Sequence, residues 1–411
     1  MKTKLTLSIV LFALFFFQTN AQWSLVSSGV SQNLISVAFS GNKGLIGGNS
    51  GKILHSSDAG ITWDDSSYYN YDPIYGVAYS SSSVAVAGTA YKFYTSTNSG
   101  NTFAGPYSLS GFNTFRDITF ANGTNGYAID DFCKLATSTD GGQNWTTGGN
   151  PCGNLSEMRD IDFPTATVGY MCGHNGNVFK TIDGGTLWTH VTVSSVTSVN
   201  YKAIQFLDAN TGFIAGKTTS GQDTMVFKKT TDGGTSWTNM KQGLIDAGCP
   251  YNADIPSFSF LNQNDGYLAN ENKIYKTTDG GTTWTLDFTS TFGGGSSTFT
   301  KILASSNVVM AVGGQGLAAR LGLGSVGINE VNAPQQIKVY PNPSTQTITL
   351  GTFLVKNENA FVSIKDISGK IVKAEKLTTN EIDIARLGKG IYFGTLTGNK
   401  DSKYTFRFVK E

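Results

Sequence analysis

Short apolar runs separated by glycine-rich polar segments recur along most of the chain. LISVAFS (from Leu34), IYGVAYS (Ile74), FRDITFA (Phe115), MRDIDFP (Met158), YKAIQFL (Tyr201), PSFSFLN (Pro256) and FTKILAS (Phe299) are seven such runs. Their length and flanking turn residues predict strands, and long helix-period stretches are lacking. A glycine–aromatic strand often follows, as at Gly126-Tyr127, Gly169-Tyr170, Gly212-Phe213 and Gly266-Tyr267. A third short strand leads into a turn written six times: SSDAGITW (Ser56–Trp63), STNSGNTF (Ser96–Phe103), STDGGQNW (Ser138–Trp145), KTIDGGTLW (Lys180–Trp188), KTTDGGTSW (Lys229–Trp237) and KTTDGGTTW (Lys276–Trp284). The fourth strand begins at the aromatic residue.

Four strands in each repeat of forty-odd residues predict a propeller blade. The seventh unit runs through Ala311–Leu323 and stops before any such turn. Gln22–Val26 opens with Trp23, the residue that should follow a turn, and is expected to supply the missing strand and cover both edges. The expected fold is all-β: a seven-bladed β-propeller with N-terminal strand closure, plus a small C-terminal Greek-key β-sandwich. In the turns, Asp58, Asp140, Asp183, Asp232 and Asp279 should accept backbone N–H groups, with Asn98 as a substitute. Glycine supplies the positive φ. Trp63, Trp145, Trp188, Trp237, Trp284 and Phe103 should bury their rings between sheets.

The ends differ from this pattern. Met1–Ala21 has Lys2 and Lys4, an apolar Leu5–Phe17 and small residues before Gln22, and reads as a secretory signal peptide. No later run approaches the roughly 18 apolar residues of a spanning helix, so no transmembrane segment is expected. The expected domains are 1–21 signal peptide, 22–325 propeller, 326–336 linker and 337–411 sandwich. Thirty Lys and Arg against 29 Asp and Glu, with no basic run, argue against nucleic acid. Cys133, Cys152, Cys172 and Cys249 are disulfide candidates in an exported protein, and their spacing matches no metal motif. No cofactor or metal is expected, and the chain is expected to be monomeric.

The turns resemble the Asp boxes, or bacterial neuraminidase repeats, of sialidases, sortilin-type receptors and some glycosidases. The longer pattern is most similar to the photosystem II assembly and stability factor family. VYPNP (Val339), DISGKIV (Asp366), IDIARLGKGIYF (Ile382) and the terminal FRFVKE resemble the C-terminal sorting domain of the type IX (Por) secretion system. That resemblance implies Sec export, passage across the outer membrane of a Bacteroidetes-type bacterium, and a secreted or surface-attached product. The type IX machinery is then a partner, and an address outside the cell argues against a photosystem role.

Candidate chemistry lies on the first strands. Arg116-Asp117 and Arg159-Asp160 stand at matching positions, with Lys202 next and Tyr75 in the preceding unit. With Glu157 these residues could hold a polar or anionic ligand at a channel mouth, on the face opposite the Asp turns. The alternative is that neighbouring Arg–Asp pairs neutralise one another. A sialidase needs three converging arginines, and the third here, Arg320, falls on a third strand away from the channel. FRDI at Phe115 lacks the Ile-Pro half of the sialidase motif. The expected function is a secreted or cell-surface non-catalytic binding or assembly module for a protein or glycan ligand. The competing reading is a glycan-directed hydrolase or carbohydrate-binding protein of sialidase or xyloglucanase type, using Asp117, Glu157 and Asp160.

Overall fold

The computed structural model describes residues 22–67, 72–153, 157–195, 198–220, 225–295, 297–323, 335–336, 339–350, 361–367, 370–377, 379–397 and 403–411. The predicted signal peptide and most of the predicted linker lie outside them. The chain divides into two compact units, residues 1–324 and 325–411.

The first unit holds seven four-stranded antiparallel sheets among the described residues. Their first strands are Leu34–Ser40, Gly76–Tyr79, Phe115–Phe120, Met158–Asp162, Val199–Phe206, Ser257–Phe260 and Phe299–Ala304, and the sheets are numbered here in that order. Each first strand lies beside that of the next sheet, and Phe299–Ala304 lies beside Leu34–Ser40. The architecture is all-β and propeller-like. Trp23–Leu25 is the fourth strand of the seventh sheet, pairing Trp23 with Leu321 and Leu25 with Ala319. A helical turn at Lys241–Asp246, which no apolar period announces, seats Leu244 in the core.

The glycine–aromatic dipeptides now have a cause. A Cβ on Gly169, Gly212 or Gly266 would lie 2.5 Å from the ring of Phe163, Phe206 or Phe260 in the same sheet. Only glycine admits that approach. The aromatic residue after the glycine stacks on the next sheet: Tyr127 on Phe163 at 3.8 Å, Tyr170 on Phe206 at 3.4 Å, Phe213 on Phe260 at 3.8 Å. On its other side each phenylalanine meets the turn tryptophan edge-on, Trp188, Trp237 or Trp284, at 5.8–6.0 Å.

The Asp turns are self-contained. Asp232 Oδ1 accepts the Ser236 N–H at 2.9 Å and the Thr230 hydroxyl at 2.8 Å, while Trp237 Nε1 donates to Gly234 O at 3.2 Å. The same set recurs around Asp58, Asp140, Asp183 and Asp279, and Asn98 accepts the Thr102 N–H at 3.0 Å. The Ser236 hydroxyl, first among these donors, helps lower the Asp232 pKa to about 2. Trp284 and Phe103 are buried, whereas Trp63, Trp145, Trp188 and Trp237 are half-buried, shallower than expected. Five of the six turns also receive a donor from the preceding sheet, among them Tyr127 Oη to Gly184 O at 2.9 Å, Lys180 Nζ to Gly233 O at 2.8 Å, and Arg320 Nε to Ala59 O at 2.7 Å.

The second unit has a five-stranded sheet, with Lys403–Lys410, Gly390–Thr397 and Phe361–Lys365 at its centre, and a three-stranded sheet of Val339–Tyr340, Thr347–Leu350 and Glu381–Asp383. Ile348, Leu350, Val362, Ile364, Leu396 and Phe408 form its core.

Trp23 is buried against Tyr267 and Phe288 of the sixth sheet and donates Nε1 to Asp287 at 2.7 Å. Trp23→Ala should therefore cost about 3–5 kcal/mol, whereas Leu25→Ala, on an exposed side chain, should cost little. Urea unfolding of the two variants measures the difference, and equal midpoints would contradict it.

Candidate functional site

The apolar residue that opens each first-strand run, or in the sixth sheet precedes it, is buried: Leu34, Ile74, Phe115, Met158, Tyr201, Ile255 and Phe299 are at most 2% exposed. The next residue is different. In five sheets a β-bulge interrupts the ladder there, between Leu34 and Ser36, Phe115 and Asp117, Met158 and Asp160, Tyr201 and Ala203, and Phe299 and Lys301. A bulge re-aims the side chain it displaces. Ile35, Tyr75, Arg116, Arg159, Lys202, Pro256 and Thr300 all line one cavity of about 780 Å³. Second strands end at this rim, whereas the Asp turns follow the antiparallel third strands and so lie at the other end of the sheets.

Four of the predicted residues, Tyr75, Arg116, Arg159 and Lys202, therefore share a cavity, but the expected Arg–Asp neighbour pairs do not form. Arg116 grips Asp131 with Nε on Oδ1 and Nη2 on Oδ2, the latter at 2.8 Å, and lies 5.8 Å over the Tyr75 ring. Arg159 donates Nε to His174 Nε2 at 3.1 Å, and His174 Nδ1 donates to Glu157. Burial, then the Arg159 charge, lowers the His174 pKa, which agrees with a neutral ring that donates at one nitrogen and accepts at the other. Lys202 Nζ meets Asp254 Oδ2 at 2.5 Å.

Asp117 and Asp160 are turned across to the next sheet. Asp117 Oδ2 accepts the Ile161 N–H at 3.2 Å and Asp160 Oδ2 the Ile204 N–H at 2.7 Å. Ser36 and Ser257 occupy the same strand position and accept the Val77 and Ile302 N–H groups, both at 3.1 Å. Lys301 of the seventh sheet reaches Asp160 Oδ1 at 3.5 Å. Burial and then the Asp160 charge push the Asp117 pKa well up. For Lys301, burial acts downward, but Asp160 and Asp117 outweigh it and raise the ammonium. Lys301 keeps 30% of its side chain accessible, whereas Asp160 is buried.

Sequence reasoning missed Ile35, Pro256 and Thr300, although their register in the repeat marks them. It also missed Asp131 and His174, which follow the second strands, and Lys217, which stands at the same register inside the longer second strand Gly212–Thr218. The cysteine expectation needs correction. Cys133 and Cys152 form a disulfide across 19 residues, whereas Cys172 and Cys249 are buried free thiols. Cys172 sits inside the second strand Gly169–Gly173, and Cys249 packs among Leu244, Ile255 and Tyr275 with its thiol toward Asn270 Oδ1, and neither meets another cysteine among the described residues.

Residues 151–302 match the family described as "Photosynthesis system II assembly factor YCF48", and residues 338–411 match "Secretion system C-terminal sorting domain". The chain thus resembles a propeller of the first kind joined to a sorting tail of the second, and that tail implies secretion or a cell-surface location. Among solved structures, YCF48 bound to D1 peptide is 16% identical, with a TM-score of 0.59, covering 74% of this chain and 97% of that one. PorZ of Porphyromonas gingivalis, an essential surface component of its type IX secretion system, is 12% identical with a TM-score of 0.52, covering 91% of this chain and 59% of that one. The GH74 xyloglucanase of Xanthomonas campestris is 13% identical with a TM-score of 0.57, covering 80% and 59%. At these identities the likeness is one of fold. No curated protein matches the chain. No helix among the described residues is long and apolar enough to cross a membrane.

Two predictions follow from the buried groups. Denatured, unreduced protein should expose two titratable thiols and native protein none; four in the denatured state would remove the Cys133–Cys152 bond. Burial, opposed by the Phe206 N–H on its carboxylate, raises Asp162 to about 7. Its folded value lies above the unfolded one near 4, so it costs nothing at low pH and destabilises as pH rises through 7. Asp162→Asn should therefore gain stability over the parent between pH 4 and pH 8, on the order of 1–3 kcal/mol. A pH-independent difference in unfolding free energy would refute this.

Proposed function

We propose that the chain is a non-catalytic binding or assembly module of the cell exterior, a seven-bladed ring closed by Trp23–Leu25 that takes a ligand at the mouth between its first strands. One observation carries this reading: the residues at the equivalent first-strand position of all seven sheets line a single cavity, whose volume suits a small-molecule or peptide-end ligand. The Asp turns are saturated by their own loops and leave little chemistry free. In this reading residues 1–21 direct Sec export and residues 337–411 direct passage through the type IX machinery.

Hydrolysis is the weaker alternative. Asp117 and Asp160 hold neighbouring strand N–H groups, and Glu157 holds His174. A glycosidase needs two carboxylates free to face a substrate. The solved relative with a bound D1 peptide favours a peptide over a polysaccharide as the kind of ligand.

Full-length protein carrying a photoreactive residue at Thr300 should crosslink a component of the native cell surface, whereas the same group at Thr282, in an Asp turn, should not. Loss of that contrast, or turnover of xyloglucan or a sialoside that Asp160→Asn abolishes, would overturn the proposal. Deleting residues 337–411 should retain the product in the periplasm, as cell fractionation would show; efficient release into the medium would refute the export route.

A further inference from the structure

The cavity wall is divided. Going round it, the third to fifth sheets contribute Arg116, Arg159 and Lys202, and the sixth, seventh, first and second contribute Pro256, Thr300, Ile35 and Tyr75. An ionic arc thus shares one space with a neutral, largely apolar arc.

Within the ionic arc a second regularity appears. The residue fifteen positions after each bulge cation follows the same point of the second strand: Asp131 after Arg116, His174 after Arg159, Lys217 after Lys202. In the third sheet it is a carboxylate that consumes both edges of the guanidinium. In the fourth it is a neutral imidazole that takes only Arg159 Nε. The terminal nitrogens of Arg159 have no hydrogen-bond acceptor among the described residues, and the nearest carboxylate oxygen, Glu157 Oε2, is 3.8 Å from Nη2. In the fifth sheet the counter-ion place is held by a second cation. Lys202 turns to Asp254, and Lys217 has no carboxylate partner among the described residues. Two positive groups that line the cavity are therefore left with donors to spend, and the guanidinium presents two of them in the fork that matches a carboxylate.

We propose that this cavity binds an amphipathic carboxylate: a free carboxylate held by the terminal N–H groups of Arg159 and by Lys217, on an apolar body resting against Ile35, Tyr75 and Pro256. This rests on the reading of the mouth as a binding site and names the ligand class. Burying the apolar portion supplies affinity that a small anion lacks, and the fork supplies direction. His174 is a positioning residue that fixes the guanidinium plane without touching the ligand.

Calorimetry on the full chain tests the class with two probes, 4-phenylbutyrate and N-acetyl-Leu-Phe with a free C-terminus, beside the amide of each and acetate. The expected result is that at least one carboxylate probe binds, with its amide and acetate at least about tenfold weaker. Binding of the first alone points to an acyl source, of the second alone to a peptide end. Arg159→Gln and Lys217→Gln should each weaken the carboxylate probe about tenfold, and Lys217→Asp, which places a carboxylate where the third sheet has one, should abolish binding. Tyr75→Ser should weaken the probe and leave acetate unchanged. Thermal melts identify any variant that fails to fold, and the Lys217 pair then carries the test without Arg159. Absence of binding by both probes, amides binding as well as acids, or indifference to Lys217→Gln and Lys217→Asp would overturn the inference. If the probes fail while the Thr300 crosslink persists, the ligand class falls and the binding-site reading stands.

Discussion

The first unit depends on aromatic rings that lie flat between adjacent sheets. Phe206 is stacked by Tyr170 from the preceding sheet and met edge-on by Trp237 of its own. Gly212 allows this, because any side chain there would occupy the ring's place. The geometry combines two favourable aromatic arrangements, but it is complete only when the neighbouring sheet is present. A single sheet of this chain would leave one face of the phenylalanine in water. The repeat is therefore an array in which each unit is stabilised by the next, and the seventh, without an Asp turn, needs Trp23 and Asp287 in its place.

This arrangement limits where function can sit. The Asp turns spend their carboxylates on their own N–H groups and their carbonyls on the preceding sheet. The third residue of a first-strand run, where it is Ser36, Asp117, Asp160 or Ser257, spends its side chain on the next strand. The residue just before it, displaced by a bulge in five of the sheets, is the position that lines the cavity from all seven. Variation there costs the scaffold little, so Ile35, Tyr75, Arg116 and Pro256 can differ in chemistry while Leu34, Ile74, Phe115 and Ile255 all stay apolar.

Repetition made the scaffold legible in the sequence. The first runs, the turns and the unmatched Trp23 could be placed because each obeys the same local chemistry. Tyr75, Arg116, Arg159 and Lys202 were readable for the same reason. Their partners were not. Adjacency suggested that Arg116 would meet Asp117, but the bulge separates them, sending one to the cavity and the other to Ile161. Asp131, His174 and Lys217 stand in register with one another yet share no chemistry, so no motif exposes them until the strands are paired. Cysteine pairing is equally non-local: Cys172 and Cys249 are set by core packing, whereas the Cys133–Cys152 bond joins a turn to the connection leading into the fourth sheet.

Charge also ties the first strands to one another. Lys301 on the seventh sheet reaches Asp160 on the fourth, and Asp117 on the third lies in the same electrostatic cluster. These residues sit one position beyond the cavity-lining one, and the Lys301–Asp160 pair joins the seventh first strand to the fourth. Burying a lone lysine there would be costly, and the Asp160 carboxylate beside the ammonium offsets that cost, while burial and the Asp160 charge push the Asp117 pKa well up. The consequence is a division of labour along each first strand: the residues that line the cavity, such as Arg159 and Tyr75, are followed by residues that tie the strands to one another.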